Sequence, residues 1–326
     1  MAAKISRREF VAGIGALAFA APSSSILTAA ETASARLAKS PFRISVITDE
    51  ISQDFGHACE VASKQFGMGW VEVRSAWKKN IVNLDAKEIA EMLAILKRNN
   101  LRVTDIASPL FKVEWPGAPQ SKYAERDSFG ANFTYAQQDE VLDRAIELAK
   151  KLSTDRVRCF DFWRLEDQAP YRKAMNERLQ AAAEKTGKAR LLLVLENEPA
   201  CNTATGAEAV ETLAAVPSKY LMLNWDPGNA AARGEVPYPD AYNRLPKARI
   251  GHCHVKDVVR TNKGFDWAPV GKGIVDWVGQ FAALKRDGYH HAVSLETHWH
   301  GAGTPEASSI ESWAGEKATL EKAGAL

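Results

Sequence analysis

The sequence predicts an α/β fold, a single (β/α)8 TIM barrel spanning residues 36–326. Three observations carry that expectation. From Phe42 onward, short apolar runs alternate with amphipathic stretches of helical period, strand then helix, to the end of the chain. The apolar runs number eight, the count a closed barrel needs. The first run leads into Thr48-Asp49-Glu50-Ile51. An open doubly wound sheet, the structural alternative, would carry a Gly-rich phosphate loop there.

Taken in order, strands are expected at 43–48, 70–74, 102–107, 156–160, 190–196, 221–226, 250–255 and 292–296. The fifth is the clearest. Leu191 to Leu195 form an unbroken apolar run, the mark of a strand buried on both faces, and the run ends on Glu196. Between the strands, 85–99 and 139–152 place apolar residues at helical spacing, another helix follows Asp276, and 309–322 closes the ring. The longest irregular stretch, 108–138, contains Pro109, Pro116, Gly117, Pro119 and several aromatics. Loops of that length in a compact barrel commonly carry binding functions, and this one is expected over the mouth.

Residues 1–35 read as an export leader and stand outside the fold. Ser6-Arg7-Arg8-Glu9-Phe10 precedes an apolar run from Val11 to Ala21, and Ala33-Ser34-Ala35 offers a small-residue cleavage site. The paired arginines and the moderate, Gly-containing run suit twin-arginine export, and so a periplasmic or secreted protein. A membrane span needs roughly 20 apolar residues, which the run does not supply. The 42 basic and 40 acidic residues leave no basic footprint for a nucleic acid. The four cysteines, Cys59, Cys159, Cys201 and Cys253, are scattered without a C-x-x-C pair or a disulfide framework.

The chemistry is expected at the C-terminal ends of the strands, where barrel active sites sit. Glu196, Asp226, His254 and Glu296 end the fifth to eighth strands in turn. Any one of them alone reads as a helix cap or an ion-pair partner. Four in succession read as one divalent-metal site. Three carboxylates and one imidazole favour manganese foremost, with magnesium, cobalt or zinc as alternatives. His252 faces the same way as His254 and reads as its hydrogen-bonded neighbour. Lys256 shares that facing and is within reach of a substrate oxygen, whereas Asp257 reads as a loop cap. His298 and His300 follow Glu296 and line the expected pocket. Arg74, Lys112, Arg158 and Arg164 supply cations near strand ends. Trp77, Phe111, Trp115, Phe162, Trp163 and Trp267 supply aromatic surface, about half of it for packing.

Seven motifs in one order make a resemblance specific: ITDEIS at 47–52, SPLFK at 108–112, LENEPACNT at 195–203, WDPGN at 225–229, HVKD at 254–257, VGKGIVDW at 270–277 and SLETH at 294–298. Together they resemble the sugar phosphate isomerase/epimerase family, with the xylose isomerase-like barrel that AP endonucleases of the endonuclease IV type also share. The resemblance implies that Glu196, Asp226, His254 and Glu296 bind one metal ion. It also implies that Glu196 and Glu296 exchange the substrate proton from opposite faces, as in ketose 3-epimerases. A basic residue six positions after the histidine contacts substrate in such proteins, and Arg260 has that spacing. Many relatives carry D-x-x-H where this chain has Asn229, which can still hydrogen-bond a sugar hydroxyl but is a poorer metal ligand and no base.

The reaction implied is isomerisation or epimerisation of a keto-sugar or sugar derivative through a cis-enediolate, with the metal polarising the carbonyl. The same constellation supports a lyase or dehydratase acting on a keto-glycoside or an inosose-like substrate. A non-catalytic periplasmic carbohydrate-binding protein is the alternative outside the enzymes. Metal-dependent phosphodiester cleavage needs further histidines on early strands, and none lies between His57 and His252. The expected partner is a small carbohydrate, not a nucleic acid or a membrane, and a homo-oligomer is compatible with the chain.

Overall fold

The computed structural model describes residues 37–124 and 131–326. The leader expected at 1–35 lies outside the described residues, as does 125–130 of the long loop. Strands are numbered in chain order: β1 (Arg43–Val46), β2 (Trp70–Val73), β3 (Ser75–Ala76), β4 (Lys79–Asn80), β5 (Arg102–Leu110), β6 (Arg156–Cys159), β7 (Leu192–Glu196), β8 (Leu221–Trp225), β9 (Ile250–Val255), β10 (Asp257–Thr261), β11 (Gly264–Ala268) and β12 (Ala292–Leu295). Eight of them form one sheet in the order β1-β12-β9-β8-β7-β6-β5-β2, with parallel neighbours throughout. A parallel bridge between Ile47 and Glu72 joins the two ends of that order. The sheet is therefore a nearly closed (β/α)8 barrel, and each of the eight expected strands is present.

The main helices are α1 (Phe55–Glu60), α2 (Ala86–Arg98), α3 (Gln138–Lys151), α4 (Ala169–Lys188), α5 (Gly206–Ala215), α6 (Pro227–Ala232), α7 (Trp277–Arg286) and α8 (Pro305–Lys322). α2 shows why such segments fold and dock. Asp85 accepts hydrogen bonds from Lys87 N and Glu88 N at 2.8 and 2.9 Å, and Glu88 Oε2 accepts from Asp85 N at 2.8 Å. That capping box satisfies the first orphan donors of the helix. Ile89, Met92, Ile95 and Leu96 then fall on one face and are buried. Burying each such side chain stabilises the fold by about 1.5–3 kcal/mol.

The differences from the sequence reading are local. β5 continues through Pro109 to Leu110, past the expected end at 107, because its pairing with β6 shifts register between Ile106 and Leu110 and leaves room for a residue without an N–H. α8 starts at Pro305, ahead of the expected 309. Thr304 caps it, accepting Ala307 N at 3.1 Å, and proline suits the first helical position. Two short antiparallel pairs, β3–β4 and β10–β11, add to the eight expected strands. Asp257, at the start of β10, accepts hydrogen bonds from the backbone N–H groups of Val258, Gly271, Gly273 and Val275 at 2.9–3.1 Å. It anchors the loop that follows the hairpin, so the loop-cap reading of Asp257 holds.

Candidate metal centre and active site

Glu196, Asp226, His254 and Glu296 come together at the C-terminal end of the barrel. All four are buried, and one ligand atom from each lies within 4.8 Å of every other. His254 Nδ1 is the hub. It stands 3.2 Å from Glu196 Oε1, 3.1 Å from Glu296 Oε2 and 3.7 Å from Asp226 Oδ2.

Each ligand is held by a second contact that leaves one oxygen or nitrogen turned inward. Asp226 caps α6 through Oδ1, which accepts Asn229 N at 2.8 Å, while Oδ2 faces the cluster. Cap and candidate ligand are thus one residue. Glu196 Oε2 accepts from Arg158 Nη1 at 3.1 Å, leaving Oε1 toward His254. Glu296 Oε1 accepts from Arg74 Nη1 at 2.9 Å, leaving Oε2 inward. Asn197 straps two strand ends together: its Oδ1 accepts Asp226 N at 2.8 Å and its Nδ2 donates to Asp226 O at 2.9 Å.

Glu72 is the residue that sequence reasoning missed. It is 0% exposed on β2, and its two oxygens lie 3.0 Å from His254 Nε2 and 2.9 Å from His252 Nε2. An ionised carboxylate can only accept, so each Nε2 carries its proton toward Glu72, and His254 Nδ1, which faces three carboxylates, carries the second proton of an imidazolium that a metal ion would replace. A carboxylate behind an imidazole in this way orients a metal ligand and raises its basicity. The one signal available was a single acidic residue inside the apolar run of β2. Asp105 lies beside Glu72, and burial with the Glu72 charge raises its carboxyl well above the ordinary range.

The electrostatics favour holding a cation. Burial pushes the Glu196 carboxyl up, but His254 and Arg158 overcome it and hold it at about 2. Burial raises Asp226 to about 7 against the pull of Lys256, with Glu196 and Glu296 pushing in the same direction as burial. Burial lowers the His254 imidazole, yet Glu72, Glu196 and Glu296 together raise it well above its ordinary value. The positive charge that the carboxylates draw onto His254 is one that a divalent cation could supply in exchange for the proton. Asp226 Oδ2 and Glu296 Oε2 are buried without a hydrogen-bond partner. Such atoms are costly unless something completes them. A donor set of three carboxylates and one imidazole, two of whose oxygens are met by the Lys256 ammonium without a well-aligned hydrogen bond, fits a divalent cation.

The cluster opens into a cavity of about 920 Å³. Arg74, Lys112, Arg158, Phe160, Trp163, Glu198, His298 and His300 line it, as do Pro109–Pro116 residues and Ala131–Tyr135 residues of the long loop. The described parts of that loop therefore do border the mouth. Arg74 is shared among Asp49, Glu50 and Glu296. Lys112 Nζ lies 3.6 Å from Glu198 and 4.9 Å from the Phe160 ring centroid. His298 Nδ1 lies 3.3 Å from Glu50 Oε1, and its ring meets Trp267 edge-on at 5.2 Å. Asn229 donates from Nδ2 at 3.3 Å to Glu196 Oε1, the oxygen that also faces His254 Nδ1.

Two residues expected to contact substrate lie outside the cavity lining in this structure. Arg260 is exposed on β10 and is not among the cavity residues, because the antiparallel hairpin carries that position away from the mouth. Lys256 is 1% exposed and reaches the ligands instead, with Nζ 2.9 Å from Asp226 Oδ2 and in close contact with Glu296 Oε2. Among the aromatics, Trp163 lines the cavity, whereas Phe111, Phe162 and Trp115 pack on one another at 4.7–5.0 Å. Arg164 pairs with Glu208 rather than facing the cavity.

Comparison with known proteins agrees with this architecture. The family profile described as xylose isomerase-like TIM barrel matches residues 61–319. L-ribulose-5-phosphate 3-epimerase UlaE of Shigella flexneri serotype 5b is 27% identical over 197 residues, 58% of this chain and 66% of that protein, just under two thirds of its length. The structure of the probable 3-DHS dehydratase AsbF from Bacillus anthracis superposes with a TM-score of 0.65 at 18% identity, covering 85% of this chain and 98% of that one. The structure of IOLI protein with a binding zinc atom superposes with a TM-score of 0.66 at 17% identity, covering 86% and 98%. Among the described residues, no helix is long and apolar enough to cross a membrane.

Proposed function

The chain belongs to the xylose isomerase-like TIM barrel family, and from that premise we propose that it is a divalent-metal-dependent isomerase or epimerase of a keto-sugar or sugar derivative. One observation carries the reading. Two glutamates from opposite sides of the ligand set, at the ends of β7 and β12, meet at a single imidazole nitrogen, and each is pinned by its own arginine. Glu196, Asp226, His254 and Glu296 are the residues that would hold the metal. When bound, the ion supplies a Lewis acid beside the substrate carbonyl.

The protein's own groups do the rest. Glu196 is held ionised near neutral pH, the state a general base needs. It takes the proton from the carbon beside the carbonyl, and the cis-enediolate that results would be protonated on the other face by Glu296, whose carboxyl, pushed up by burial but held well below the usual range by Lys256 and His298, must first take up a proton from water in the cavity. Return to the same carbon gives an epimer; return to its neighbour gives the isomer. Arg74 and Arg158 fix the two carboxylates, so neither needs to reorganise during transfer. Lys112, Trp163 and Phe160 border the space where the rest of the sugar would lie.

The cavity size supports a second reading, a lyase. About 920 Å³ is at the upper end of small-molecule sites and exceeds the needs of one sugar ring. A keto-sugar bearing a substituent β to the reacting carbon would expel it from the same intermediate.

Proton NMR in heavy water, with Mn2+ removed before acquisition, separates these outcomes across a panel of ketoses and 3-keto-glycosides. Deuterium should enter beside the carbonyl only after incubation with metal, and the product then names epimerase, isomerase or lyase. Glu196→Gln and Glu296→Gln should each slow exchange by about 10²–10⁴-fold, the usual worth of general acid–base catalysis. Metal binding without exchange on any substrate would turn the reading to a carbohydrate-binding protein.

A further inference from the structure

The three carboxylates of the cluster each have a cation, but the cations do not sit alike. Arg158 takes the outer oxygen of Glu196, and Arg74 takes the outer oxygen of Glu296. Both leave an inner oxygen beside His254 Nδ1. Lys256 does the opposite. Its Nζ lies against Asp226 Oδ2 and Glu296 Oε2, the two oxygens that face His254 Nδ1 and that an ion would need. The ammonium is within ion-pair reach of both, yet neither oxygen gains a hydrogen bond of proper geometry. Lys256 meets these atoms as an ion pair, by charge rather than by directed hydrogen bonds.

We propose that Lys256 is an internal counter-ion that a divalent metal displaces: its ammonium holds Asp226 and Glu296 together, yields both oxygens on metal loading, and swings toward the cavity to become a substrate contact. The inference rests on reading the cluster as a metal site. Two cations cannot share the same pair of oxygens at these distances without strong mutual repulsion. The lysine stem is unbranched and rotatable, unlike the guanidinium of Arg74, which three carboxylates fix. A perch is at hand, since Lys256 Nζ already lies 5.2 Å from the Trp267 ring centroid, and Trp267 abuts His298 of the cavity wall. Gly228 makes the stem's corridor: a Cβ there would stand 2.4 Å from Lys256 Cγ. The same mobile cation would reach the oxygen on which charge develops during enolisation.

Two measurements on the full chain test this. Isothermal titration with Mn2+ should show Lys256→Met and Lys256→Gln binding at least tenfold more tightly than wild type. In protein labelled with 13C at lysine Cε, the Lys256 signal, identified by its loss in Lys256→Met, should shift as Mg2+ is added, and it should shift less in Trp267→Phe. Equal or weaker affinity in both variants overturns the proposal while leaving the metal site intact. Tighter binding with an unmoved Lys256 signal also overturns it, because simple repulsion then suffices. If wild type binds no Mn2+ and neither variant does, the metal reading itself fails.

Discussion

Removing the Glu72 carboxylate should weaken metal binding at the Glu196–Asp226–His254–Glu296 cluster although Glu72 is not one of those four residues. The substitution Glu72→Leu keeps the volume and deletes both acceptors. In the native protein each oxygen holds one buried imidazole, His254 Nε2 at 3.0 Å and His252 Nε2 at 2.9 Å. Without them, nothing keeps the His254 proton on Nε2, and Nδ1 must compete for it with the ion. Loss of such an outer partner costs about 10–100-fold in metal affinity. That is about 1.4–2.7 kcal/mol. Two buried imidazole N–H groups also lose charge-assisted hydrogen bonds, each worth about 1.5–3 kcal/mol, so the fold is weakened as well. Isothermal titration with Mn2+ near neutral pH, on samples shown to be folded by near-UV circular dichroism, measures the first effect. An affinity within twofold of wild type in a folded variant would refute the assignment of Glu72 as the residue that sets the His254 tautomer.

Three further outcomes are expected. Glu316 on α8 is 0% exposed with both oxygens lacking a partner, and burial alone raises its carboxyl well above the ordinary value. The native state therefore holds a proton that the unfolded chain releases above about pH 4.5, so stability falls as pH rises through that window. Glu316→Met should gain about 1–3 kcal/mol at pH 8 and distinctly less at pH 5, read as melting temperature, whereas a pH-independent gain would contradict the sign. Loading the cluster should stabilise the fold by about 2.7 kcal/mol at a hundred times Kd, read as a melting temperature that rises with Mn2+ concentration and is reversed by chelator; no shift at saturating Mn2+ would count against the site. The leader expected at 1–35 is proposed to direct twin-arginine export, so Arg7→Lys with Arg8→Lys should retain the protein in the cytoplasmic fraction, and unchanged fractionation would remove that proposal.

The barrel was legible in the sequence because its signals are local. Strands buried on both faces appear as continuous apolar runs, and Leu191 to Glu196 shows both the strand and the point where it meets the mouth. Likewise Asp226, His254 and Glu296 were visible as ligand types because polar residues ending such runs stand out against their neighbours. Spacing failed where the chain turns back on itself. Arg260 was placed near the site by counting six residues from His254, but β10 and β11 form a hairpin, and the count does not carry the direction of the chain.

The sequence by itself determined the strand and helix order, the four candidate ligands and the face of the barrel on which they gather, since each follows from a periodicity or a position within one segment. Only the tertiary structure decided how those ligands are held. Glu72 meets His252 and His254 across the lumen from 180 and 182 residues away, Arg158 and Arg74 each take one oxygen of a glutamate, and Lys256 falls on the inner oxygens rather than in the cavity. The Arg158–Glu196 and Lys256–Asp226 contacts join consecutive barrel strands and depend on their register, whereas the Glu72 and Arg74 contacts join strands far apart in the chain. The latter exist only once the sheet has curved until its two ends meet, and no local pattern encodes which side chains that curvature brings within hydrogen-bond distance.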